Sequence, residues 1–309
     1  MKKLLLILLL SPLNFAFATA GIQDFAPVSH WDCDETSGVR YDANLTNTND
    51  LTDNNTVLYS SSLRSNACDF ERSNSEYLSI TDASQAGLDV GSNASFSFWI
   101  NLESLPSSGQ IYTILSKITT VNNESYVLYF TNSAGTYQLG LQGSEDGTYG
   151  GAGTYWFTNW TPTSATWYHL VFTLEGTTDK TTWYVNGSQL VQSTTAYTVG
   201  SFYNGTSPFT IGADVGWNTG YFDGLIDEVS VFPSVLTADN VTTLYNNGTP
   251  LNYEHSTTTP TATTSLSEIE EIYYGDITFG IAILITLQFI MVAGFVYNRF
   301  PHNDRKKQT

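Results

Sequence analysis

Along the middle of the chain, apolar and polar side chains take turns. Phe96-Ser97-Phe98-Trp99-Ile100 alternates with aromatic weight, the period-two signature of a strand with one buried face. Segments 111–118, 126–130 and 137–141 read the same way, with Gly- and Asn-containing turns between them. Ala67-Cys68-Asp69-Phe70 and Tyr77-Leu78-Ser79-Ile80 predict two further strands around a turn. Asn186-Gly187 follows another such run and supplies the positive φ angles of a tight hairpin. The pattern predicts an all-β sandwich filling residues 21–252, with no internal repeat.

Two apolar runs do not alternate, and they set the address. Residues 1–20 carry Lys2 and Lys3, an apolar run and Ala18-Thr19-Ala20, which predicts a secretory signal peptide. Residues 277–297 are 21 uncharged positions. As a helix they would be about 31 Å long, matching a hydrocarbon core of about 30 Å. Arg299, Arg305, Lys306 and Lys307 follow, and Glu268, Glu270, Glu271 and Asp276 precede. The positive-inside rule then predicts a cell-membrane protein, single-pass and type I, with its ectodomain outside and a short tail at 298–309 within. Residues 253–276 form the stalk, and the Ser/Thr/Pro-rich stretch at 256–266 has too little apolar surface to bury.

Charge narrows the partners. Residues 21–276 hold 5 basic and 28 acidic side chains, or 5 − 28 = −23. No basic patch exists to neutralise phosphates, so no nucleic-acid partner is expected. The two cysteines, Cys33 and Cys68, both fall in the exported part. An even count in such a chain predicts one disulfide, with two buried thiols as the alternative.

The resemblance to a known family rests on an ordered set of motifs. Ile211-Gly212 ends one apolar strand. Phe222-Asp223-Gly224-Leu225-Ile226-Asp227-Glu228-Val229, Leu236-Thr237 and Leu244-Tyr245-Asn246-Asn247-Gly248 follow in sequence. His30-Trp31-Asp32-Cys33-Asp34-Glu35-Thr36-Ser37-Gly38 stands near the start, and Thr166-Trp167-Tyr168-His169 and Tyr184-Val185-Asn186-Gly187 lie between. Together these resemble the laminin-G-like, concanavalin A-like lectin/glucanase domains, from about Val28 to Asn252. The resemblance implies a concanavalin A-like jelly-roll β-sandwich of two antiparallel sheets, to which the C-terminal transmembrane helix is added. It also implies one structural calcium ion at the rim, held by Asp227 with Asp34 and Asp42. The other reading of those aspartates is turn and backbone hydrogen bonding. Glycanases on this sandwich carry alternating carboxylates on one strand, which puts them on one face. Here Leu225 and Val229 occupy the positions where glutamates would be needed, so no catalytic residue is expected.

Aromatic residues supply the candidate ligand site. Trp31, Trp99, Trp167 and Trp183 sit in alternating strands and are expected in the core. Trp156, Trp160, Trp217 and Tyr221 lie in Gly/Asn/Thr-rich segments with Tyr149, Tyr155 and Tyr203. They are expected as loop aromatics that stack on a ligand, with plugs beneath long loops as the alternative. The expected function is recognition of a glycan or extracellular protein by a membrane-anchored adhesion or attachment module. The rivals are a glycan-cleaving enzyme on the same sandwich and a self-associating surface or virion component.

Overall fold

The computed structural model describes residues 20–119, 122–148, 155–178, 180–190, 200–216 and 220–253. The expected leader, most of the stalk, the span at 277–297, the tail, Tyr149 and Trp217 lie outside the described residues. The chain divides into two compact units, Met1–His255 and Ser256–Thr309, and every described residue belongs to the first. Among the described residues no helix is long and apolar enough to cross a membrane.

Two antiparallel sheets form the described unit. The first runs β13 (Ser188–Gln189), β12 (Lys180–Val185), β11 (Trp167–Glu175), β6 (Asn93–Leu102), β15 (Gly224–Phe232), β4 (Asn66–Phe70), β3 (Leu58–Ser61), and β1 (Ser29–Trp31) also pairs with β15. The second runs β10 (Tyr155–Asn159), β9 (Thr136–Gly143), β8 (Glu124–Ser133), β7 (Ile111–Ile118), β14 (Phe209–Ile211), β5 (Tyr77–Ile80), β2 (Thr52–Asn54). Neighbours in space are often distant in sequence, as in a jelly roll.

Alternation delivers the core. On β6, Phe96, Phe98 and Ile100 point between the sheets, and β11 adds Leu170, Phe172 and Leu174. From the second sheet, Tyr126, Leu128 and Phe130 of β8 meet them, with Leu139 and Leu141 of β9. Each fully buried aliphatic or aromatic side chain contributes about 1.5–3 kcal/mol. Cys33, just after β1, is bonded to Cys68 on β4, closing 35 residues. Asn186 and Gly187 both take positive φ between β12 and β13, so the hairpin forms as its residues dictate.

The outer face of the first sheet is roofed over. The α-helix α1 (Ala238–Tyr245) starts at Thr237, whose hydroxyl accepts the Asn240 N–H while Asn240 caps Thr237 in return. It buries Val241 and Leu244 with Val171, Tyr184 and Phe232 of the sheet, and Ile22 and Leu251 complete that layer.

Candidate functional site

The roof decides which surface can meet a ligand. Beneath it lies a buried polar row on the first sheet. His30 Nε2 is 3.1 Å from Glu228, and its Nδ1 is 2.8 Å from Ser230 Oγ. Ser97 Oγ is 2.8 Å from His169 Nε2. Alternation alone would put Asp227 and Glu228 on opposite faces. A bulge between Asp227 and Ser230, with Glu228 at φ 52°, turns both to the roofed side. These groups are buried, and Tyr253 stacks on His30 while Tyr245 stacks on His169.

The outer face of the second sheet is covered over β7 and β8, where Ile118, Val127, Tyr129 and Glu124 are buried, and is partly open at β10. The one α-helix among the described residues packs on the other sheet. On β10, Tyr155, Phe157 and Asn159 project outward, while Trp156 and Thr158 face in. Their ladder partners on β9 are Gln142, Gly140 and Gln138. The Tyr155 and Phe157 rings are parallel, with 1° between their planes and 6.4 Å between centroids. Tyr129 on β8 meets Phe157 edge-on at 6.0 Å. It lies over Gly140, where a Cβ would run into the ring, so glycine there lets the aromatic lie against the sheet. Ile118 and Val127, both buried, complete a small apolar cluster on that side of the sheet.

Amides border this strip. Gln138 Nε2 donates to Asn159 Oδ1 at 3.0 Å. Gln142 Nε2 donates to the Glu124 carboxylate. Ile118 opposes Glu124 where the β7–β8 register shifts by one residue. That shift brings the carboxylate to the outer side beside Gln142. Glu124 is only 1% exposed, and its second oxygen makes no hydrogen bond. Burial pushes its carboxyl up to about 7; the Gln142 bond opposes the rise and Asp214 adds to it. Partly exposed parallel rings with adjacent amides suit a sugar, whose apolar face stacks while its hydroxyls bond.

Several expected site residues stand elsewhere. Trp156 lies on β10 with 2% exposure, facing Phe172, and Trp160 has 9% exposure and meets Phe130 and Tyr168 edge-on. Both belong to the core, so the expectation of exposed loop aromatics is corrected for them. The cause is parity, because Tyr155 and Phe157 take the outward positions. Tyr221 sits near Tyr77 of β5, at the far side of the sheet, and its carbonyl accepts from Arg72. Trp167 is half-buried at the start of β11 and not in the core. Sequence reading placed Tyr155 near a ligand but passed over Phe157, Gln138, Gln142, Asn159 and Glu124. The signal was the alternation in Tyr155-Trp156-Phe157-Thr158-Asn159.

The aspartates assigned to calcium are engaged with backbone. Asp42 accepts from the N–H groups of His30, Asn44 and Asn49. Asp34 accepts from Asn66 N, and Asp227 from Glu228 N. These three do not gather as a donor set. The group that does, among the described residues, is Asp69, Glu71 and Glu103, whose ligand atoms lie within 4.8 Å of one another. Burial raises the carboxyls of Asp69 and Glu103, and neighbouring acids add to it. A hard cation takes oxygen donors of this kind.

The family profile of the concanavalin A-like lectin/glucanases superfamily matches residues 72–242, more than half of the chain. The chain belongs to this superfamily. No curated protein sequence matches it. Among solved structures it is similar to domain 4 of AbnA, an extracellular arabinanase from Geobacillus stearothermophilus in complex with arabinotriose. That likeness has 19% identity and a TM-score of 0.52, over 71% of this chain and 98% of that one. It is also similar to the binding domain of Paraclostridial Mosquitocidal Protein 1, at 14% identity and TM-score 0.54 over 71% of this chain. The botulinum neurotoxin serotype D binding domain gives 16% and 0.54 over 73% of this chain. The chain spans about half the length of these two toxin domains, 52% of each. At these identities the likenesses establish the fold alone.

Proposed function

We propose that the chain is an extracellular recognition module, held to the membrane by one helix, that binds a glycan through the outer face of β8–β10. The observation that carries this is the parallel, partly exposed pair Tyr155 and Phe157, bordered by Gln138, Gln142 and Asn159. Loss of one stacking contact costs on the order of 1–3 kcal/mol for nucleic-acid bases on aromatic side chains, and we take the same order for the apolar face of a sugar. Domain 4 of the arabinanase, which holds arabinotriose, has the same fold. The leader and the uncharged run at 277–297 support export and a type I anchor. Adhesion or attachment follows from a binding face carried outside the cell.

An enzymatic reading on β15 lacks its alternating carboxylates. Leu225 and Val229 stand at the needed positions of β15, and Asp227 and Glu228 are buried. A self-associating role has one observation in its favour. Leu58 and Tyr59 on the edge strand β3 are 52% and 48% exposed, as an unpaired edge suited to a second copy would be. A glycan array probed with wild-type chain and with Tyr155→Ala and Phe157→Ala tests the first reading. Glycan signal lost in both variants supports it. Unchanged signal, together with concentration-dependent oligomers, favours self-association.

A further inference from the structure

We infer that the β8–β10 face takes an uncharged, hydroxyl-rich saccharide and rejects acidic sugars, with Glu124 as the positioning residue that sets this preference. The inference rests on the glycan reading above and adds the ligand class.

The charge inventory of the face is one-sided. Five Lys and Arg residues occur among the described positions, and each stands elsewhere. Arg40 donates to the Val57 carbonyl and to the Cys68 sulfur. Arg64 pairs with Glu228 on the first sheet. Arg72 lies over Tyr112 and donates to the Ile111 and Tyr221 carbonyls. Lys117 is buried between Asp82 and Asp89, at 2.8 Å from each. Lys180 is on β12 of the other sheet. Acids gather instead at the Glu124 end. Asp214 acts on Glu124 electrostatically. The Glu124 N–H is bonded to the Gly147 carbonyl at 3.1 Å. A carboxylate or sulfate on this face would meet Glu124 and Asp214 and no described cation, and partial burial strengthens the repulsion.

Glu124 acts through Gln142. A carboxylate only accepts hydrogen bonds, so Gln142 must turn its NH₂ toward Glu124. The carbonyl of Gln142 then faces away, next to Tyr155, its ladder partner. In that place it accepts from a sugar hydroxyl. A carboxylate on the ligand has no hydrogen to offer it.

The test is an array of neutral oligosaccharides printed beside their uronic-acid, sialylated and sulfated counterparts, probed with the full chain at pH 8. Neutral sugars should bind at least about tenfold better than their acidic counterparts, a ratio that corresponds to about 1.4 kcal/mol. Glu124→Gln should narrow that ratio, since a glutamine both loses the charge and lets Gln142 reverse. The same wild-type comparison at pH 5.5 needs no variant. There Glu124 takes up its proton while uronic acids and sulfates stay ionised, and the ratio should narrow again. Asp214 is the titratable group that acts on Glu124; Lys117, next to it on β7, turns inward to Asp82 and Asp89. Preference for acidic sugars that is still lost in Phe157→Ala would overturn this inference and leave the glycan reading standing. Neutral preference indifferent to Tyr155→Ala and Phe157→Ala would sink the face itself. A neutral-to-acidic ratio unmoved by both pH and Glu124→Gln would remove Glu124 from its role. Binding to a protein with no glycan on the array would overturn both readings.

Discussion

His30 Nε2 lies 3.1 Å from Glu228, with Tyr253 stacked on the histidine ring at 5.5 Å. Burial pushes Glu228 up to about 8, against the pull of Arg64. Burial likewise lowers His30 to about 4 and His169 to about 3. The signs oppose. A raised carboxyl stabilises the fold fully below the unfolded value near 4.5, and that contribution fades as pH rises through the folded value. A lowered histidine contributes above about 6.5 and loses its contribution as pH falls. Above about pH 7.5 the histidine contribution is complete while Glu228 is still losing its proton, so the melting temperature should fall between about pH 7.5 and 8.5. Glu228→Gln should flatten the fall. A wild-type melting temperature that rises there would contradict this assignment.

Cys33 and Cys68 tether the end of β1 to β4. In the chain-entropy view, closing 35 residues contributes about 3–4 kcal/mol. Reduction, or Cys68→Ala with Cys33→Ala, should lower the midpoint of denaturant unfolding accordingly. An unchanged midpoint would mean that the bond constrains little.

Trp156 and Trp160 are core residues, while Phe157 faces out between them. Trp156→Ala and Trp160→Ala should cost about 3–5 kcal/mol of stability through the cavities they leave. Phe157→Ala should cost clearly less. Equal losses at all three positions would place Phe157 in the core as well.

The fold was legible where one face of a strand is apolar and the other is not. Phe96-Ser97-Phe98-Trp99-Ile100 announces its parity, and the hairpin at Asn186-Gly187 announces its turn. The candidate site was not legible because β10 is aromatic on both faces. Tyr155-Trp156-Phe157 gives no sign of which parity is buried until β9 pairs with it. Glu124 was invisible for a related reason. Its position depends on the register shift opposite Ile118, and no local pattern marks it. The roof over His30 and Glu228 also joins segments some 200 residues apart. Motif matching could locate those residues but not show that they are enclosed.

Calcium has a direct thermal test. An ion bound only to the folded chain at 100 times its dissociation constant adds about 2.7 kcal/mol. If Asp69, Glu71 and Glu103 hold it, added calcium should raise the melting temperature and Glu103→Gln should abolish the rise. Loss of the rise in Asp227→Asn instead would return the ion to the aspartate first implied by the resemblance. Indifference to both calcium and chelator would remove the ion from the account.

The central claim is that Tyr155 and Phe157 form the ligand-stacking strip of the second sheet. The most direct measurement is the affinity of the wild-type chain and of Tyr155→Ala and Phe157→Ala for the neutral oligosaccharide that binds best on an array, with melting temperatures recorded alongside. The account predicts weakening of about fivefold to 150-fold for each variant, equivalent to about 1–3 kcal/mol, with folding retained. Full affinity in both folded variants would contradict it.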